Sequence, residues 1–341
     1  MLNPDWKQEF LSHAAWENAT ETAVGEDWSQ RKFWRLQKNG KTAILMQAVP
    51  DDDPRATPGH KFGDYVRIAD YLLGLGFSTP EILAQDVPRG LLLVEDFGSA
   101  GFQDTEYPAA VDVLAELYRK TETIAIALPD YYQSHVHTGR RRVVDWYLPA
   151  VTKTKNPDGL AENYLDVWTQ IESGLPPVPR RFLHGDFHPG NMMILNNREG
   201  VRRIGLLDFQ GAMIGPAPYD LVNLLDDARR IVPEDIRQNG LVRMTSGMGT
   251  TEKESFLLWY PVLAAQFHCR VIGQAIRLAL SDNKTRLLAL LPTVSEHLRR
   301  DLENPVLAPM KDWFAGQGVS FGDVPEISPE ALRPIIREDA F

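Results

Sequence analysis

Apolar positions along the first hundred residues change their period twice. A short amphipathic helix is predicted over residues 3 to 18, with Asn3 as cap, Pro4 in the first turn, and Trp6, Phe10, Leu11, Ala14 and Ala15 on one side. From 20 to 50 the pattern shortens to strands: one ends near Val24, another spans 29 to 36 and a third 42 to 49. Lys38-Asn39-Gly40-Lys41 between the last two is a hairpin signal, because Asn-Gly tolerates the left-handed backbone that a tight turn needs. Helical spacing returns at 60 to 75, where Phe62, Tyr65, Val66, Ala69, Leu72 and Leu73 form one stripe closed by Gly74 and Gly76. Apolar runs at 81 to 85 and 91 to 95 complete a small lobe that ends near Gly98.

Beyond it the pattern is mainly helical, with helices predicted at 107 to 128, 141 to 152, 158 to 173, 218 to 230, 234 to 245, 252 to 281, 283 to 302 and 305 to 315. The conspicuous interruption is 181 to 208, where two short apolar runs flank a polar turn. This is an α+β chain in two lobes: a strand-rich N-terminal lobe over 1–98 and a larger helical lobe over 99–341.

Charge and cysteine usage narrow the partners. The chain carries 36 Lys plus Arg against 46 Asp plus Glu, a net charge of -10, which is the wrong sign for tracking a phosphate backbone. Nucleic acid is not an expected partner. The one cysteine, Cys269, supports neither an intrachain disulfide nor a thiolate metal site, and its apolar neighbours mark it as a core residue. No run of 18 apolar residues occurs, so the expectation is a cytoplasmic protein with no membrane partner; the pattern is silent on oligomeric state.

Candidate chemistry is concentrated in RFLHGDFHPGNMMILNNREGVRRIGLLDFQGAMIGPAPYDLVNLL. Asp186 and Asn191 stand five apart, and Asp208 follows seventeen residues later. Residues 192 to 195 and 204 to 207 read as arms of a hairpin turning through 196 to 200, which puts Asn191 and Asp208 together at its open end. An amide oxygen plus a carboxylate suits Mg²⁺, a cation that takes oxygen ligands and bridges substrate phosphates, and a second carboxylate can accept a proton from a hydroxyl. Taken singly these residues are ordinary turn formers, and His184 and His188 with His135 and His137 offer a rival metallohydrolase reading that leaves Asn191 and Asp208 unused. His184 is expected to pack under the loop, and His188 to orient Asp186 or the loop. Gly40-Lys41-Thr42 imitates the end of a P-loop, but Arg35 stands where its glycine belongs and a strand follows.

The segment His184 to Asn191 and the run Leu207-Asp208-Phe209 resemble the HGDxHxxN and IDF motifs of the aminoglycoside phosphotransferase branch of the protein-kinase-like superfamily. Further pieces, including residues 29 to 35, 44 to 50, 89 to 98, Leu207-Asp208-Phe209-Gln210 and 266 to 273, are similar to bacterial anomeric kinases of N-acetylmuramate and N-acetylglucosamine. The resemblance covers roughly residues 20 to 280 and implies a two-lobed kinase fold, ATP as donor and Mg²⁺ as cofactor. It implies Asp186 as catalytic base and Asn191 and Asp208 as metal ligands, with Ser29 in the loop over the nucleotide and Glu95, Asp96 and Phe97 as the adenine hinge. Met46 stands where kinases carry a phosphate-pairing lysine, so Arg31, Lys32 or Arg35 is expected to supply that charge. The acceptor implied is an amino sugar phosphorylated at its anomeric hydroxyl, contacted by His188 and by Arg270 or Arg277. Gln266, Arg270, Gly273 and Arg277 share one helical face, for which a solvated stripe is the rival reading. Gly185, Gly190 and Gly211 depart from the Arg, Arg and Asp frequent in those kinases, which keeps an aminoglycoside or a choline-like amino alcohol open as acceptor. A nucleotide-binding pseudoenzyme that acts as a partner-binding module also stays open.

Overall fold

Three consecutive runs of alternating side chains fold into β1 (Thr20–Glu26), β2 (Lys32–Lys38) and β3 (Lys41–Gln47) in the computed structural model, which describes residues 4–26, 31–54, 61–322, 324 and 326–337. Asn39 and Gly40 take φ of 51° and 74° between β2 and β3, the positive pair that matches a hairpin turn to strand twist. With β4 (Ile82–Asp86) and β5 (Leu91–Glu95) they make an antiparallel sheet in the order β1-β2-β3-β5-β4.

Register divides the sheet into two faces. Leu36, Ala43, Leu45, Leu91 and Leu93 pack with Phe10 and Leu11 of α1 (Pro4–His13) in one buried cluster bordered by Trp6, Trp16 and Trp34. Phe33 opposite Met46, Arg35 opposite Ile44, and Leu92 opposite Met46 lie on the other face, since paired residues share a side. The helix predicted at 60 to 75 is α2 (Phe62–Gly74), and it buries Phe62, Tyr65, Ile68, Ala69 and Leu72.

The chain divides into two compact units, each assembled from two separate segments. The first combines Met1–Glu116 with His184–Ala212, and the second combines Leu117–Leu183 with Met213–Phe341. In the first unit, the expected hairpin is present as β7 (Met192–Ile194) and β8 (Ile204–Leu206), numbered after β6 (Arg180–Leu183) of the second unit. Main-chain bonds tie it in: Leu206 N donates to Ser78 O at 2.7 Å, and Ile194 N to Ala100 O at 2.9 Å. An ion pair between Arg203 and Glu106 adds to this.

The second unit is helical around a long buried helix. In chain order the helices are α3 (Tyr107–Lys120), which crosses from the first unit, α4 (His135–Thr138), α5 (Leu148–Thr152), α6 (Leu160–Ser173), α7 (Pro218–Leu225), α8 (Glu234–Thr245), α9 (Thr250–Ser281), α10 (Leu291–Asp301), α11 (Ala308–Gly316) and α12 (Pro329–Leu332). The long helix α9 is buried along Val262, Leu263, Ala265, Phe267, Cys269, Ile272 and Ile276, and α7 and α10 pack against it. Burial pushes the Cys269 thiol up to about 12, which fits an inert core residue.

Several boundaries differ from the sequence pattern. The helix expected over 107 to 128 ends at Lys120, because the chain beyond it is drawn out to pair at Asp130 with Ile214, whose N–H donates to Pro129 O at 2.9 Å. That segment borders two strands the pattern does not predict, β6 and β9 (Met213–Pro216). The helix expected over 218 to 230 stops at Leu225, before the buried Asp226 and Asp227. Residues 141 to 152 contain a π-helical turn, Val143–Tyr147, ahead of α5. The stretch 283 to 302 opens as a 3₁₀ segment, Thr285–Leu290. Among the described residues no helix is long and apolar enough to cross a membrane.

Candidate active site

The loop between β6 and β7 is held by its own side chains. Asp186 N–H donates to His184 Nδ1 at 3.3 Å, and His184 Nε2 meets Leu207 O at 2.9 Å. These bonds require the Nε2–H tautomer: one nitrogen accepts, the other donates. Burial pushes the His184 pKa down, so this neutral form is the stable one, and the ring packs edge-on to Phe187 with centroids 5.6 Å apart. His184 therefore fastens the loop to the end of β8.

His188 works further along the same loop. Its Nδ1 accepts from Gly190 N–H at 3.0 Å, which leaves the proton on Nε2, 3.4 Å from Asp186 Oδ2. Both expected roles, orienting Asp186 and shaping the loop, are met by the same ring. Gly190 is required by this contact, since a Cβ there would lie 2.7 Å from the His188 ring. Gly185 has φ of 88°, a left-handed conformation that opposes a side chain at that position.

Asp186, Asn191 and Asp208 are brought together as the spacing predicts. Asn191 Nδ2 donates to both O and Oδ2 of Asp186 at 3.0 Å, fixing the amide so that its oxygen is left for another partner. Leu207 N–H donates to Asn191 O at 2.9 Å, joining the two arms beside Asp208. The Asp186 side chain remains substantially exposed.

Asp208 sits at φ 58°, an uncommon conformation for a residue with a Cβ. Its Oδ1 accepts from Arg31 Nη2 at 2.7 Å and from Gln210 Nε2 at 2.6 Å. Arg31 is buried beside Tyr65, whose hydroxyl pKa is raised by burial, and Tyr65 packs on Phe209 with ring centroids 4.7 Å apart. Gln210 and Tyr65 are site residues that the sequence pattern does not single out; the Gln210 position within Leu207-Asp208-Phe209-Gln210 is the one available signal.

The remaining expected residues are distributed unevenly. Ser29 lies outside the described residues. Lys32 is exposed and pairs in register with Gln47, on the opposite face from Phe33 and Met46. Arg35 makes a two-pronged contact with Asp96 at 2.7 and 2.9 Å and donates to Gly98 O at 2.8 Å. Burial alone would raise the Asp96 pKa, but Arg35 and the Gly98 N–H outweigh it and hold the carboxyl below its usual range. Glu95 is ion-paired with Arg198, and the Phe97 ring lies against Gly205. Of the three candidate cations, Arg31 alone is bonded to one of the three central residues. Arg270 and Arg277 belong to α9 in the second unit, where Gln266 and Gly273 are buried and the two arginines half-buried, so the face is no solvated stripe.

This donor set fits Mg²⁺. Asn191 Oδ1 and the Asp208 carboxylate are hard oxygen ligands, and among the described residues no group of three or more His, Cys, Asp or Glu could hold a metal by itself. A pair of oxygens completed by waters and substrate phosphates is how Mg²⁺ is usually bound.

Comparison with known proteins decides the relationship. Residues 20–249 match the phosphotransferase enzyme family. The chain belongs to this family. As a phosphotransferase it has curated relatives along most of its length: a Caulobacter vibrioides protein named N-acetylmuramate/N-acetylglucosamine kinase is 27% identical, covering 90% of this chain and 94% of that protein. A Pseudomonas aeruginosa protein of the same name is 28% identical, covering 86% of this chain and 87% of the relative. The fold is also that of a microcompartment-associated aminopropanol kinase, with a TM-score of 0.62 at 12% identity, over 94% of this chain and all of the other. The phosphotransferase thus has a protein-kinase-like α+β fold, with the strand-rich and helical parts that the sequence predicts.

Proposed function

We propose that this phosphotransferase transfers the γ-phosphoryl group of ATP to the anomeric hydroxyl of an N-acetylated amino sugar, with Mg²⁺ as cofactor. The observation that carries the reading is the convergence of Asp186, Asn191 and Asp208 at the open end of the β7–β8 hairpin, fixed by Asn191 Nδ2 on Asp186 and Leu207 N on Asn191. The names of relatives matched over 86% or more of this chain support the acceptor. A cytoplasmic site of action accompanies ATP as donor.

In this reading Asp186 accepts the proton of the acceptor hydroxyl as the hydroxyl oxygen bonds to the γ-phosphorus and the bond to the bridging β-phosphate oxygen breaks to release ADP, and His188 holds the carboxylate in place. Asn191 and Asp208 hold Mg²⁺, which when bound neutralises phosphate charge. Arg31 replaces the lysine missing at Met46, for its guanidinium already meets Asp208. Residues 1–98 serve the nucleotide, through Glu95, Asp96 and Phe97 near the adenine and Ser29 near the phosphates, and residues 99–341 carry the catalytic loop and acceptor residues. Arg35 contributes through Asp96, and Lys32 through the electrostatics of the strand end.

Phosphorus NMR of the product tests the reaction. With N-acetylglucosamine or N-acetylmuramate, a phosphate coupled to H1 is expected, with no product from the sugar reduced to its open-chain alcohol. Asp186→Asn should lower kcat by about 10²- to 10⁴-fold with ATP binding retained. A phosphate on another oxygen, or turnover of an aminoglycoside or amino alcohol in place of these sugars, overturns the acceptor. Loss of ATP binding by folded Asp186→Asn overturns the assignment of the base.

A further inference from the structure

Three arginines of the helical unit lie outside every ion pair formed among the described residues, Asp145 acting on Arg142 only at longer range. Among the described residues Arg142, Arg270 and Arg277 take part in no ion pair. Arg270 Nη2 donates to the Tyr219 hydroxyl at 3.2 Å, while its Nε is buried without a partner. Arg277 Nε meets Gln274 Oε1 at 3.3 Å. Among the described residues Arg142 makes no side-chain hydrogen bond, and the nearby Asp145 has its Oδ1 on Arg141 at 3.0 Å.

Two glycines let these groups come together. A Cβ on Gly139 would lie 2.6 Å from Arg142 Nη1 and 3.0 Å from Arg270 Cγ, so both side chains cross the bare backbone there. A Cβ on Gly273 would lie 2.1 Å from Arg142 O, so α9 meets the main chain at Arg142 directly. The π-helical turn Val143–Tyr147 begins at the next residue, an irregularity that often marks functional sites in helices. Burial, followed by repulsion from Arg270 and then Arg277, pushes the Arg142 pKa down to about 10, which leaves it a cation at neutral pH. Three half-buried cations brought together, with Asp145 the one carboxylate acting on Arg142 and already bonded to Arg141, are unfavourable unless an anion joins them.

We propose that Arg142, Arg270 and Arg277 form a binding site for one anionic group, the carboxylate of an acidic sugar acceptor, with Arg142 as the member that completes it. The identity of the anion rests on the amino-sugar reading above; the clustering of the arginines does not. Guanidinium groups bind a carboxylate through paired N–H donors, so a neutral sugar of the same skeleton would leave the cluster uncompensated.

The test compares N-acetylmuramate, which carries a lactyl carboxylate, with N-acetylglucosamine, which does not, using the full chain and its Arg142→Gln and Arg277→Gln variants. The ratio of kcat/KM for the acidic over the neutral sugar should fall at least tenfold in each variant, mostly through KM, and Arg142→Lys should restore part of it. Since each substitution removes one of three like charges, the melting temperature should hold or rise. Ratios within twofold of the parent overturn the site, as does a lowered melting temperature with the ratio unmoved, which would assign Arg142 a structural role. Calorimetry without nucleotide separates the two readings: N-acetylmuramate binding lost in Arg142→Gln supports the anion site even if neither sugar is turned over, an outcome that would sink the acceptor reading alone. Inorganic phosphate stabilising the parent but not Arg142→Gln, with no binding of N-acetylmuramate, would overturn the sugar carboxylate as occupant.

Discussion

Arg31 and Lys32 are neighbours in sequence with opposite situations. Arg31 is buried on Asp208, and Lys32 is exposed on the far face of β2. Arg31→Met should therefore raise the KM for ATP by about 10- to 100-fold, the equivalent of a lost charge-assisted bond of about 1.5–3 kcal/mol, whereas Lys32→Met should change it less than threefold; steady-state kinetics at saturating acceptor decides. Sequence could nominate the pair but not choose between them, because the choice depends on strand register. His184 carries a different expectation. Its pKa is depressed from 6.5 by burial, so the unfolded chain binds the proton more readily, and the stability held above pH 6.5 is lost as pH falls through the folded-state value. Thermal melts from pH 8 to 5 should show that loss, and His184→Gln, which can keep a donor to Leu207 O but cannot titrate, should show a shallower slope.

At the scale of elements, strong local periodicity was legible and long-range pairing was not. The hairpin turn at Asn39-Gly40, α2, α6 and α8 follow their patterns because caps, glycines and apolar spacing are local signals. The strands β6 and β9 escape notice because Arg180-Arg181 and Gly215-Pro216 have poor strand composition and are paired by residues far apart in sequence. The loop from His184 to Asn191 was readable for the reason β6 was not: its residue types stand at the fixed spacing of a family motif. The β7–β8 hairpin depends on one close approach, Phe97 against Gly205, where a Cβ would lie 2.6 Å from the ring. Gly205→Ala should cost about 1–3 kcal/mol of stability through overpacking, measured by urea unfolding, and Phe97→Leu should recover part of it; an unchanged midpoint would show that the ring moves aside freely.

For the whole molecule, the partition into compact units cuts across the order of the chain. The loop bearing Asp186, Asn191 and Asp208 is grouped with Met1–Glu116 although 67 residues of the second unit, Leu117–Leu183, come between. A fragment ending at Glu116 lacks the strands β7 and β8 that bond to Ser78 and Ala100, so it should melt without a cooperative transition, as circular dichroism would show. The interleaving also orders events during synthesis. All five strands of the N-terminal sheet have been synthesised by residue 116, but the loop with Asp186, Asn191 and Asp208 arrives only with residues 184–212, and α9 with Arg270 and Arg277 later still. A nascent chain therefore passes through a long interval in which the strands of the sheet exist without the hairpin that ties into them, and recombination that exchanges contiguous stretches between related enzymes would carry Asp186, Asn191 and Asp208 along with part of the helical unit.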